Sequence, residues 1–200
     1  MSGLMKSRYL LWLVLALPAA IMVYGYWRET FVYGEVVHAS GETAARLLIA
    51  AMAATPLRLL LPRARLPRWL LMNRRSLGVA SFGYALLHAL TYLERKADLA
   101  TIVEEAGDVG MWTGWIAFGL MVLLAVTSND VSVRLLRRAW KSLHRWVYAA
   151  AVLACLHWML SAFAPLGASM HFGLLALLEA YRIWKISFAS RRQGPPAAVA

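Results

Sequence analysis

Five histidines carry most of the chemical capacity of this sequence: His38, His88, His144, His157 and His171. Imidazole is a common metal ligand and carries protons near neutral pH. His88, His144 and His157 fall inside long apolar runs, where an ionisable side chain is expensive and marks function by default. His38 precedes the second run and His171 sits near the outer end of the last; solvated or interfacial positions account for both. His88 follows Arg75 by thirteen residues, and His157 follows His144 by thirteen. On a helix that spacing is about 20 Å, which sets His88 and His157 at one depth on two helices. Two such imidazoles suit the opposite axial faces of a haem iron. A hydrogen bond between helices is the bland alternative, and the depth match favours the metal.

His144 lies near the opposite surface, roughly 140° around a straight helix from His157. The residue level with it on the third run is near Arg75, not a histidine. A second haem with another partner, a flavin or quinone lining, and an interfacial role are all open to it. Arg46, just inside the outer end of the second run, suits a haem propionate or a snorkelling position. Arg74 and Arg75 suit an anionic cofactor at the inner face, or simply mark that face as basic. Glu179 and Arg182 stand three apart on the sixth run and can pair with each other, or Glu179 can take a proton from a quinol. Tyr84 and Tyr92 flank His88 at i−4 and i+4, placed to pack at a haem edge. No Gly-x-Ser-x-Gly, His-Glu-x-x-His or phosphate-binding loop occurs, so no catalytic residue is assigned. No dinucleotide fingerprint occurs either, which argues against direct NAD(P)H oxidation.

The elements that must position these groups follow from composition. Of 200 residues, 61% are hydrophobic and 16% charged, against roughly 45–50% and 25% in soluble domains. Mean hydropathy is +0.58. These values imply an all-α integral membrane protein and exclude disorder. Six runs are long enough, or nearly so, for helical spans: about 9–27, 43–61, 76–93, 109–127, 142–163 and 168–188. They make one six-span bundle over 1–190, followed by a flexible tail over 191–200. The apolar part of the first run outlasts a signal-peptide core, so it reads as a retained span. Continuous rather than alternating runs disfavour a barrel. The single Cys155 leaves no intrachain disulfide and reads as a buried thiol.

Net charge is +11, from 21 Lys+Arg against 10 Asp+Glu. The basic residues lie between apolar runs, so they point to a membrane rather than to nucleic acid. The 58–75 connection holds Arg58, Arg63, Arg65, Arg68, Arg74 and Arg75 with no acid, and 128–141 holds Arg134, Arg137, Arg138 and Lys141 against Asp130. The 28–42 and 94–108 connections are acidic, with Glu29, Glu35, Glu42, Glu94, Asp98, Glu104, Glu105 and Asp108. The positive-inside rule then puts both termini in the cytoplasm. Pro56, Pro62 and Pro67 are expected to end the second helix and stiffen the basic loop.

Several ordered motifs resemble the ferric-reductase-like transmembrane family, specifically its MsrQ branch. They are His38-Ala-Ser-Gly41 leading to Thr55-Pro56-Leu57, Arg74-Arg75-Ser-Leu-Gly78 continuing through Phe82, Tyr84 and Leu87-His88 to Tyr92, Thr127-Ser128, and Trp140-Lys-Ser-Leu-His144 followed by Tyr148 and His157. They span about residues 38–157. The resemblance implies His88 and His157 as b-haem ligands, His144 as a further haem-site histidine, one or two haems, and a flavin mononucleotide (FMN) whose place no motif gives. It also implies a bacterial inner-membrane subunit rather than a catalytic one. The implied partner is MsrP, a soluble periplasmic molybdopterin enzyme that reduces methionine sulfoxide in oxidised proteins. The implied donor is the quinone pool or a cytosolic flavin reductase. Glu42 departs from the pattern, since many members carry a basic residue after the glycine; Arg46 stands one turn further on.

Two other functional classes compete. A terminal reductase of ferric ions or oxygen usually adds a cytosolic FAD/NAD(P)H domain, for which 200 residues leave no room. A haem-free transporter would be colourless when purified.

Overall fold

The computed structural model describes residues 8–96, 99–105, 107–161 and 165–192. The chain is all-α in these residues. Its helices are α1 (Arg8–Trp27), α2 (Tyr33–Leu60), α3 (Arg65–Lys96), α4 (Leu99–Glu105), α5 (Val109–Val126), α6 (Asp130–Leu136), α7 (Arg138–Leu143), α8 (Val147–Ser161) and α9 (Pro165–Arg192), with a 3-10 turn at His144–Trp146 before α8. Four of them, α1, α2, α3 and α5, are long and apolar enough to cross a membrane. The 15 residues of α8 rise about 22 Å, short of a roughly 30 Å hydrocarbon core. Glu179, Arg182 and Lys185 interrupt the apolar character of α9. Arg191 and Arg192, the first two residues of the tail expected over 191–200, end α9 instead, and the rest of that tail lies outside the described residues.

Several helix boundaries differ from the sequence reading. α2 starts at Tyr33 rather than near 43, so His38 and Glu42 lie on a helix and not in a loop. The cause is local: the Glu35 carboxylate accepts the Val32 N–H at 3.0 Å and satisfies one of the first-turn donors. α3 starts at Arg65 rather than near 76, which shortens the basic connection and puts Arg68, Arg74 and Arg75 on the helix. Pro56 does not end α2 but lies buried inside it; Pro67 occupies the first turn of α3, where no helical N–H is needed. Asp108, read from the sequence only as an acidic loop residue, is a helix cap, and so is Asn129. Asp108 accepts Gly110 N–H at 3.0 Å and Asn129 accepts Ser132 N–H at 2.8 Å. Arg137, at φ 48°, makes the sharp break between α6 and α7.

The bundle is built around α2, which packs against α1, α3, α8 and α9. Six of its ten buried residues are small, Ser40, Ala44, Ala45, Ala51, Ala53 and Ala54, beside Val36, Leu48, Met52 and Pro56. Small residues let helix backbones approach where lipid gives no hydrophobic drive for association. Ser81 of α3 uses the proximity to donate to the Ala44 carbonyl at 2.7 Å. α1 buries only Gly25 and leaves Leu13, Leu17 and Ile21 exposed, as a lipid-facing helix would. Tyr84 ties α1 to α3. Its hydroxyl donates to Leu15 O at 2.7 Å and accepts Ala19 N–H at 3.1 Å, a pair that an uninterrupted helix joins directly, beside Pro18.

The two ends of the bundle are chemically distinct. At one end Arg75 pairs with Asp130 at 2.6 Å, and the Trp140 indole donates to Thr127 O at 2.9 Å. At the other, Tyr26 bonds Glu94, and Glu105 receives Lys96 and the Tyr92 hydroxyl. Those two donors hold the Glu105 carboxyl below its ordinary range.

Candidate functional site

Two clusters of functional side chains emerge, one toward each end of the bundle. The first joins the two deep histidines. His88 of α3 and His157 of α8 face each other with ring centres 6.0 Å apart and planes at 83°. His88 Nδ1–H donates to Val37 O of α2 at 2.8 Å, and His157 Nδ1–H donates to Gly110 O of α5 at 2.7 Å. A carbonyl can only accept, so both Nδ1 atoms carry the proton. Each Nε2 is then left as the lone-pair donor.

The separation can be tested against a metal. A metal–imidazole bond of about 2.0–2.1 Å on each side, plus about 1.1 Å from each nitrogen to its ring centre, puts two axial imidazole centres roughly 6.3 Å apart. The observed 6.0 Å fits a single ion held between the two rings. The backbone carbonyls behind both rings supply the outer hydrogen bonds that metal-bound histidines usually have. No group of three or more metal-ligating side chains occurs among the described residues; a pair of facing imidazoles is the donor set that an axially ligated macrocycle would take.

The second cluster surrounds His144. Its ring stacks on Trp140, with centres 3.9 Å apart and planes at 25°. The Thr127 hydroxyl donates to Leu123 O at 2.7 Å, so it accepts from His144 Nε2–H at 3.2 Å. Nδ1 is therefore the nitrogen of His144 left for another partner. The 3-10 turn carries His144 off the axis of α8, so the angle to His157 expected for one straight helix does not apply. His144, Trp140, Arg74, Arg75, Lys141 and Arg145 border a cavity of about 460 Å³, whose apolar side includes Phe82, Met121 and Tyr148. That volume lies within the range of small-molecule and cofactor pockets. Arg75 is neutralised in part by Asp130, whose carboxyl it holds below the ordinary range. Arg74 has no ion pair among the described residues.

The remaining sequence candidates separate from these clusters. Arg46 pairs with Glu42 at 2.6 Å on the same helix, so the acid that departs from the family pattern has a basic partner one turn away. His38 stands 3.9 Å from Glu42, and its side chain is two-thirds exposed. His171 Nδ1–H donates to Gly167 O at 2.7 Å and packs against Trp158. Tyr84 is turned toward α1 rather than toward His88, a correction to the haem-edge expectation. Tyr92 reaches Glu105 and packs edge-on against Trp115. Glu179 pairs with Arg182 at 2.9 Å, and that guanidinium lies over the Tyr148 ring at the cavity wall.

Sequence reasoning passed over the backbone partners of the histidines, and it carried Thr127 and Trp140 only as parts of the motifs that mark the family resemblance. The available signal was glycine inside apolar helices, at Gly41 and Gly114. There each glycine disfavours the helix by about 1 kcal/mol relative to alanine and so calls for a packing reason.

Comparison with known proteins shows the family. Residues 40–155 match the family described as ferric reductase like transmembrane component; the match includes His88 and His144 and ends two residues before His157. A protein of Xanthomonas campestris pv. campestris, named protein-methionine-sulfoxide reductase heme-binding subunit MsrQ, is 37% identical over 172 residues, covering 82% of this chain and 77% of the relative. The MsrQ of Rhizobium meliloti is also 37% identical, over 165 residues, 80% of this chain and 74% of its own. No solved structure matches. The chain belongs to the ferric-reductase-like transmembrane family, within its MsrQ group.

Proposed function

We propose that this chain is a b-haem electron-transfer subunit of the bacterial inner membrane, with six spans and both termini cytoplasmic. It serves MsrP, a periplasmic molybdopterin methionine sulfoxide reductase, in the repair of oxidised periplasmic proteins. Its electrons come from the quinone pool or a cytosolic flavin reductase. The observation that carries the reading is the His88–His157 pair, with ring centres one metal ion apart and both Nδ1–H groups fixed by carbonyls. A haem bound there supplies one-electron transfer between ferric and ferrous iron. His88 and His157 hold it from α3 and α8. Val37 O and Gly110 O fix the tautomer and raise the basicity of each Nε2. Both histidines are half-buried, His88 against α2 at Gly41 and His157 against α5 at Gly114.

The second cluster supports a planar, anionic cofactor nearer the cytoplasm, and FMN fits its chemistry. Trp140 and His144 offer a stacked aromatic edge, and Arg74, Lys141 and Arg145 offer cations for a phosphate. A second haem would have to take His144 through Nδ1, because Nε2 is bonded to Thr127. The positive-inside rule supports the orientation, since the Arg-rich connections cluster at the cavity end.

The test is an absorption spectrum of detergent-purified protein, oxidised and dithionite-reduced, with a pyridine haemochrome count. His88→Ala and His157→Ala are each expected to abolish a six-coordinate b-type spectrum. A colourless parent protein from haem-replete cells would refute the reading. A count of two haems per chain would displace FMN from the inner cavity.

A further inference from the structure

Behind each histidine of the pair stands the same backbone arrangement, on two different helices. On α2 the acceptor is Val37 O, and four residues later comes Gly41. On α5 the acceptor is Gly110 O, and four residues later comes Gly114. A Cβ added at Gly41 would fall 2.9 Å from His88 Nδ1, and one at Gly114 would fall 2.6 Å from His157 Nδ1. At both positions the three nearest atoms belong to that one imidazole. At Gly110, by contrast, the added Cβ would meet Leu160 and Ser161 of α8; Gly25 also meets a single ring, that of Phe31, but across a turn of its own stretch of chain rather than on a facing helix.

We infer that Gly41 and Gly114 are positioning residues of the metal centre, a duplicated cradle that lets each imidazole lie close enough to a helix to bond a carbonyl one turn away. This inference rests on the haem reading above. The bond to the carbonyl fixes the Nδ1–H tautomer and leaves Nε2 as the nitrogen free to ligate. A methyl group at either position occupies the ring's own place. In the haem-free protein the imidazole can rotate away, because nothing holds its Nε2. With haem bound the ring is held at both nitrogens and cannot yield. The glycines are therefore required for the ligated state and not for the helices, which alanine would favour.

The experiment compares Gly41→Ala and Gly114→Ala with Gly83→Ala and Gly119→Ala, where an added Cβ meets nothing within 4 Å. The readouts are haem per chain, hemin titration of the haem-free protein, the low-temperature EPR spectrum of the ferric form, and thermal unfolding without haem. Gly41→Ala and Gly114→Ala are expected to bind hemin on the order of 10–100-fold more weakly, the usual effect of losing an outer-shell partner. Their residual haem is expected to show shifted low-spin signals, since these depend on the angle between the two imidazole planes. Unfolding without haem is expected to match the two controls. Hemin binding and EPR indistinguishable from the controls would overturn the inference while leaving the haem reading intact. Full haem in His88→Ala or His157→Ala would remove the reading beneath it. If Gly114→Ala fails to fold, the ring clash predicts recovery in the Gly114→Ala, His157→Ala double variant; failure of the double variant would overturn the inference as well.

Discussion

Replacing Tyr84 with phenylalanine separates two roles for the residue one turn before His88. The ring is 3% exposed, so its packing survives the change and only the hydroxyl is lost. That hydroxyl makes two bonds to α1, to Leu15 O and from Ala19 N–H. Interhelix side-chain hydrogen bonds in membranes average about 0.6 kcal/mol and reach about 1.7. Two of them give about 1–2 kcal/mol, or roughly a 5- to 30-fold shift toward a detached α1. Besides these bonds α1 is held by the Tyr26–Glu94 bond and by Leu15 packing on the core, and its only buried residue is Gly25. The assay is tryptic cleavage after Arg28, in the turn between α1 and α2, followed over time in detergent alongside the haem spectrum. Tyr84→Phe is expected to speed cleavage by that factor and to leave haem per chain and band positions unchanged. Lost or shifted haem with unchanged cleavage would refute the reasoning and return Tyr84 to the haem edge.

Three further outcomes follow from the inner cavity and the outer cap. Arg74→Ala or Trp140→Leu is expected to lower FMN retention at least several-fold while haem stays constant, read as flavin fluorescence released on denaturation. Thr127→Val removes the acceptor of His144 Nε2–H and is expected to weaken flavin retention without touching the His88–His157 spectrum; a changed haem count would assign His144 to iron instead. The Glu105 carboxyl is held below its ordinary 4.5 by Lys96 and Tyr92, so its contribution is present above that value and lost as pH falls through the lower folded value. Amide protection factors across Leu99–Glu105, with the intrinsic pH dependence of exchange divided out, are expected to be flat from pH 8 to about 5 and to fall below the ordinary carboxylate range, with Glu105→Gln abolishing that fall.

Much of the architecture was legible because a bilayer narrows the choices. Where backbone groups cannot bond water, long apolar runs must be helices; of the six runs expected to span, the four that became α1, α2, α3 and α5 are long and apolar enough to cross a membrane. The boundaries were less legible, for a local reason. Charge marked 28–42 as a loop, yet Glu35 and the small residues after it extend α2 by nearly three turns. A carboxylate in that setting is a helix cap as readily as a solvated loop residue. The same ambiguity hid the start of α3, where an Arg-rich segment reads as a connection but helix formation is favourable for arginine.

The candidate site divides along a different line. Counting from the basic edge set His88 and His157 at one depth, because a side chain's identity and its helical rise are both written in the sequence. Their outer partners are Val37 O and Gly110 O, and a carbonyl is present at every position whatever the residue. No reading of residue types can single out which carbonyl a histidine will use. A backbone acceptor does leave one indirect trace, the absence of a side chain where the ring must pass. Gly41 and Gly114 both stand one turn beyond the acceptor, and both would place a Cβ inside 3.0 Å of an imidazole nitrogen. An interior glycine one turn from a level histidine on a facing helix is thus the mark by which the hidden half of such a centre can be sought, and its recurrence on α2 and α5 makes coincidence the poorer account.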